Sequence, residues 1–306
     1  MTDLGKLRLF VYPQGIRHLH DDIPEYRDCV PFSEDGIMRC CEVVADPNDA
    51  EFFYMGQFHD NDAWLCRPER FEYFEGNESR HIVDIEGDWR DVDMPEFLKP
   101  CIVTAVKSEG DKTGWNITIR PTFSKLITFF ARSVSPPFIP PTNRLAFFRG
   151  QMDVRGIRER VAQGWQQSGM PGHFQFTSHW NAPTGVESPE VWGYVFDVLA
   201  HGIGLCPIGS GPPVRWFELC ALGRMPIVIG NHALFCEDEV DPFWIRIPQE
   251  ASVEEIADQL RAVGEMPDDE IVKRCIGARV YWEQKILPYF KDPTQWMIER
   301  MIKKGE

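Results

Sequence analysis

The sequence predicts an α/β protein built of two parallel-sheet halves, and three observations predict it. Short apolar runs alternate with longer segments of helical period, which is the pattern of strands joined by crossover helices. A proline-rich seam interrupts the chain near its middle. The 306 residues, 43% hydrophobic and 26% charged, suffice for two medium-sized soluble domains.

Before the seam the strand candidates are LRLFVYP (7–13), AEFFYMG (50–56), RHIVDIEG (80–87), CIVTAV (101–106) and NITIRP (116–121). After it come LAFFRG (145–150), HFQFTS (173–178), GIGLCP (202–207), MPIVIG (225–230) and FWIRIP (243–248). Helical patterns fall between them at 154–165, 189–202 and 212–223. Ser252 with Glu255 forms a capping-box pair, and Val253, Ile256, Ala257, Leu260 and Val263 then share one face. Two more helices are expected at about 268–287 and 293–304. The seam itself, SVSPPFIPPTN (133–143), holds four prolines and forbids both helix and central strand. It sets the expected domains at 1–140 and 141–306, with the final helix free to pack back on the first.

The net charge of −15 argues against nucleic acid or an anionic membrane as partner, since either needs a basic patch. The nine cysteines form no CxxC pair, so buried free thiols are expected rather than a zinc site or a disulfide framework. No run of about 18 apolar residues is present, so no transmembrane segment is expected. The N-terminus lacks the pattern of a secretory signal. A cytoplasmic or otherwise soluble, reducing location is expected.

The stretch CPIGSGPPVRWFELCALGRMPIVIG (206–230) is the most informative. A short strand stops at Pro207, and Gly209, Ser210 and Gly211 then form a turn that a ligand can approach closely. Pro212 and Pro213 suit a helix's first turn, leaving the N–H groups of 214–216 and the helix dipole as an anion site. Arg215 can add a bidentate grip on a diphosphate. Glu218, on the same face, can accept hydrogen bonds from vicinal hydroxyls such as those of a ribose. The plainer alternative is an ordinary crossover with an Arg215–Glu218 surface ion pair. The pattern matches neither GxxxxGK[ST] nor GxGxxG.

These residues resemble the signature of exostosin-type glycosyltransferases: a Cys-Pro-x-Gly turn, then Arg-Phe-x-Glu-Ala, then Ile-Pro-Val-Ile. LAFFRG with Arg158 downstream is similar to that family's Phe-Phe-x-Gly strand and the arginine of its next helix. ADPNDAEFFYMG (45–56), RHIVDIEGDW (80–89) and YWEQKI (281–286) resemble further family segments in the same order. The resemblance implies the GT-B architecture, two facing Rossmann-like domains with a cleft between them. It implies a UDP-sugar donor carrying xylose, glucuronate, galactose or N-acetylglucosamine, a glycan hydroxyl on an oligosaccharide or glycoconjugate as acceptor, and inversion at the anomeric carbon. Arg215 would face the diphosphate, Glu218 the ribose, Arg158 the leaving group's charge and Gly209–Gly211 the phosphates, with Arg149 also among the donor-binding residues. Pro213 and Val214 depart from the Ser or Thr that relatives often carry there.

An inverting displacement needs a base on the acceptor side, at the carboxyl end of a first-half strand. Asp88, after the 80–87 strand, is preferred, with Asp60 of GQFHDND next; His59 and Asp62 share that loop. No metal is expected to be essential. Asp60-Asn61-Asp62 leaves open a manganese-dependent, GT-A-type transferase, in which oxygen ligands hold the metal. A non-catalytic nucleotide-sugar or glycan-binding protein on the same scaffold is a third reading, and a phosphorylase or epimerase a fourth. Asn231, His232 and Glu237–Glu239 are the expected lining of the donor-sugar pocket.

Overall fold

The computed structural model describes residues 6–13, 30–59, 67–86, 95–105, 114–121, 124–152, 156–177, 186, 188–208 and 214–305. The chain forms two compact units. The first gathers 1–121, 233–235 and 288–306; the second gathers 122–232 and 236–287. The chain thus leaves the first unit after Pro121. The proline seam, read from the sequence as the divide near 140, runs inside the second unit.

The first unit is a six-stranded, all-parallel sheet ordered β2-β1-β3-β4-β5-β6. Its strands are β1 (Leu7–Val11), β2 (Cys41–Val43), β3 (Phe52–His59), β4 (His81–Glu86), β5 (Ile102–Ala105) and β6 (Asn116–Ile119). Both faces are covered, which is why the strands read as near-continuous apolar runs. One face packs Leu9, Tyr54, Ile82 and Ile102 with Met297, Ile298 and Met301 of α9 (Pro293–Gly305) and Ile37 of α1 (Glu34–Cys40). The other packs Phe53, Met55, Val83, Ile85 and Val103 with Phe71, Phe74 and Leu98 from the connections. The register of β3 on β4 shifts between Tyr54 and Gly56, where Gly56 has φ 121°, a conformation that favours glycine.

One polar row crosses this sheet. Gln57, Asp84, Thr104 and Thr118 are successive register partners on β3 to β6. The Asp84 carboxylate accepts from Thr104 Oγ1, from Arg120 Nε at 3.0 Å and from Gln57 Nε2 at 3.5 Å. Asp84 and Arg120 are both buried, so the ion pair lies away from solvent with hydrogen bonds to support it.

The second unit is a five-stranded parallel sheet ordered β11-β10-β9-β7-β8. It comprises β7 (Ala146–Gln151), β8 (Gly172–Thr177), β9 (Ile203–Pro207), β10 (Met225–Ile229) and β11 (Ile245–Ile247). Its helices are α2 (Lys125–Arg132), α3 (Ile157–Ser168), α4 (Pro189–Leu199), α5 (Val214–Ala221), α6 (Val253–Gly264) and α7 (Asp268–Tyr281). Ser252 and Glu255 form the expected capping box of α6. After α7 a π-helical turn, Trp282–Ile286, leads into α8 (Leu287–Lys291), with the Leu287 N–H donating to the Trp282 carbonyl. Pro288, with no N–H and a ring that crowds the preceding turn, accounts for that widening. Both units are therefore doubly wound parallel α/β sheets, the class the sequence predicts. Among the described residues no helix is long and apolar enough to cross a membrane.

Arg224 locks the second unit from within. It is 1% exposed, and its guanidinium donates to the carbonyls of Val198 and Leu199 at the end of α4, of Leu222 and Gly223 just past α5, and of Ile139 in the seam. A cation suits two helix C-termini, where carbonyls point outward without partners. Arg224→Met strands those carbonyls in an apolar site. It should lower unfolding free energy by about 3 kcal/mol, read as a fall in the urea midpoint at unchanged m-value.

Candidate nucleotide site

In each sheet the first and third strands in chain order lie side by side and the chain winds outward both ways. Ligands of such sheets bind at the carboxyl ends of the strands flanking that reversal. In the second unit these are β7 and β9. They pair only at Ala146↔Ile203 and Phe147↔Gly204, and then part. By contrast β7 stays paired to β8 as far as Gln151↔Thr177, and β9 to β10 as far as Pro207↔Ile229.

Arg215, on the first turn of α5, fills the split. Its Nη2 donates to the Arg149 carbonyl on β7, and its Nη1 to the Leu205 carbonyl on β9 at 3.4 Å. The guanidinium carbon lies 4.7 Å from the Phe148 ring centroid, a cation–π contact. Gly150 makes room for it: a Cβ there would lie 3.3 Å from Arg215 Nη2 and 3.1 Å from Phe148 Cζ. A side chain at Gly150 would make Phe148 and Arg215 give by a few tenths of an ångström. Each terminal nitrogen of Arg215 keeps one N–H uncommitted among the described residues.

The Nε of Arg215 donates to the Tyr194 hydroxyl of α4 at 3.4 Å, and that hydroxyl donates to Glu218 Oε2 at 2.7 Å. Ser124, which also caps α2, donates to Glu218 Oε1 at 3.5 Å. Glu218 is 6% exposed, so the surface ion pair considered from the sequence is not what forms. Cation and carboxylate are bridged by a tyrosine hydroxyl instead. Burial pushes the Glu218 carboxyl above its usual range, against the pull of the Tyr194 and Ser124 hydrogen bonds and the Arg215 charge. Burial also raises the Tyr194 hydroxyl well above the ordinary tyrosine value and the Cys206 thiol to about 12.

The other expected residues also sit at carboxyl ends of this sheet. Arg149 Nη1 faces Asp197 of α4 at 3.5 Å. Arg158, on α3, donates to the Gln151 carbonyl at 2.6 Å and so clips the end of β7. Asn231, just past β10, ties that loop to the next one, donating to Glu250 at 2.8 Å and accepting from the Gln249 N–H at 3.2 Å. His232 is buried; Glu237 pairs with Arg246, and Glu239 with Lys285 at 2.9 Å. Gly209, Ser210, Gly211, Asp60, Asp62 and Asp88 lie outside the described residues, and His59 is described as the last residue of β3 by its backbone alone.

Sequence reasoning missed Tyr194 and Ser124. Tyr194 lies in VWGYVF, where aromatic residues at helical spacing read as core. Ser124 is 94 positions from Glu218 in the chain.

No protein-family model and no curated protein matches the chain. Among solved structures it is similar to an alpha1,3-fucosyltransferase at 8% identity, covering 90% of this chain and 83% of that one with a TM-score of 0.46. It is likewise similar to an alpha1,3-fucosyltransferase with GDP at 11% identity, with the same coverage and a TM-score of 0.39. Likeness at that level concerns the course of the backbone only. The exostosin resemblance rests on its quoted motifs.

A carboxyl raised in the folded state supports stability below its ordinary value of 4.5 and loses that contribution as pH rises through the folded value. Glu218→Gln removes the cost of the buried ion. The variant should therefore melt at or above the wild type at pH 8, with the difference gone near pH 4. Lower melting temperatures across the whole range would mean that the carboxylate stabilises the fold.

Proposed function

We propose that the protein is a nucleotide-sugar-dependent glycosyltransferase whose second unit holds the donor. One observation carries the reading: a buried carboxylate with a raised pKa stands one hydroxyl from a guanidinium at the carboxyl ends of the strands beside the chain reversal. Such a carboxylate costs stability, and groups of that kind concentrate at functional sites. The ordered motif resemblance supports the same reading.

In this reading the two uncommitted N–H groups of Arg215, with the N-terminus of α5, meet the diphosphate, and Glu218 accepts from the ribose hydroxyls. Arg158 adds positive charge as the nucleoside diphosphate departs. Asp88, or else Asp60, takes the acceptor's proton in a single inverting displacement. The protein's part in the step is preorganised charge at the leaving group. UDP is the favoured carrier of the sugar. The single-sheet, manganese-dependent alternative leaves the second unit without a part, and turnover in excess chelator would exclude it.

The test is transfer to glycan acceptors, and slow donor hydrolysis, across UDP- and GDP-sugars. Arg215→Lys keeps the charge but loses the fork, and Arg215→Ala loses both. Turnover should fall by about 10²-fold in the alanine variant, with the lysine variant between it and the wild type. Binding without transfer or hydrolysis would favour the non-catalytic reading. Near-normal turnover in both variants would remove Arg215 from the diphosphate.

A further inference from the structure

Arg215 is held in place by two main-chain carbonyls and the Phe148 ring, so it does not depend on Glu218 for its position. Glu218 has no such anchorage. Among the described residues its charged and polar neighbours are Tyr194 on α4, Arg215 on its own helix, Ser124 at the start of α2 and Cys206 on β9. The short contact is the one from Tyr194, at 2.7 Å; the Ser124 contact is long, at 3.5 Å.

With Glu218 ionised, the polarity of this chain of bonds follows from its members. A guanidinium only donates and an ionised carboxylate only accepts. The hydroxyl hydrogen of Tyr194 must then point at Glu218 while its oxygen receives Arg215 Nε. The hydroxyl is thus held between the arginine and the carboxylate, and its bond to Glu218 is shorter than the one from Ser124.

We infer that Tyr194 is a positioning residue for the donor: its hydroxyl, braced by Arg215, orients the Glu218 carboxylate and keeps it ionised to receive a nucleotide's ribose hydroxyls. The inference rests on the donor reading above. Removing the hydroxyl takes away a hydrogen bond to the charged form, which makes ionisation harder. Arg215 keeps its contacts to the Arg149 and Leu205 carbonyls and the Phe148 ring, none of which involves Tyr194.

The experiment compares wild type, Tyr194→Phe and Glu218→Gln, all full-length, with UDP and GDP as probes in calorimetric titrations from pH 5 to pH 8. The wild type should lose affinity as pH falls through the Glu218 titration. Tyr194→Phe, whose ring keeps its packing on Phe147, should bind about tenfold more weakly at pH 7, with the loss beginning at higher pH. Glu218→Gln should bind weakly with little pH dependence. A carbon-13 titration of the Glu218 side chain in nucleotide-free protein supplies a readout that needs no ligand, and its midpoint should rise in Tyr194→Phe. An unchanged midpoint, or a uniform loss of affinity at every pH, would assign Tyr194 to packing and overturn the inference. If neither nucleotide binds the wild type while the carbon-13 midpoint still rises, the donor reading fails and the orienting bond stands.

Discussion

The guanidinium of Arg215 in the split between β7 and β9 is the constraint on which the second unit's site depends. The parting of two strands leaves main-chain carbonyls without ladder partners, and an unsatisfied buried carbonyl costs about 1–3 kcal/mol. A water could fill one such place; Arg215 fills two at once and brings a positive charge with it. Everything around it follows from its size and shape. Phe148 offers a flat face, Gly150 leaves room that a Cβ would crowd, and Tyr194 receives the remaining Nε. The split at the chain reversal is thus occupied by a positively charged side chain.

Arg215 and Arg224 lie nine positions apart and both bind carbonyls, in a chain that carries 47 acidic side chains against 32 basic ones. Neither forms a direct ion pair among the described residues. Arg224 serves the fold, gathering the ends of α4 and α5 and the proline seam around one cation. Arg215 serves the opening. Because the carbonyl dipoles satisfy its hydrogen bonds without cancelling its charge, a positive centre persists in an acidic protein. A focused cation of that kind is what an anion needs when the protein's overall field repels it.

The fold was legible in the sequence to the extent that local pattern decides it. All ten anticipated strands occur, because buried parallel strands must be apolar and are bounded by glycine, proline or polar residues. The helices at 189, 214 and 252 begin where proline or a serine cap announces them. The short edge strand β2 and helix α1 were missed: CEV and EDGIMRC are too brief to show a period. Arg215 and Glu218 were legible as a pair because they are three residues apart on one helix. What joins them was not. Tyr194 and Ser124 arrive from other elements, and the space between two helices is a tertiary fact that spacing in one segment cannot carry. The proline seam misled for a related reason. Prolines mark where regular structure stops, yet the unit's limits depend on what that stretch packs against, and Arg224 and Arg279 both hold it to the second unit.

The two units show opposite uses of a buried acid and base. In the first, Arg120 and Asp84 are in direct contact, and Thr104 and Gln57 take up further lone pairs of the carboxylate. That pair joins cation and anion directly and fixes a row across the sheet. In the second, a hydroxyl stands between Arg215 and Glu218. Burial raises the pKa of that carboxyl, and direct contact with the guanidinium would have countered the rise more strongly. A fold selected only for stability would close the gap, since a shorter separation strengthens attraction where the dielectric is low. Holding the two apart leaves the guanidinium and the carboxyl as separate hydrogen-bonding groups at the carboxyl ends of β7 and β9.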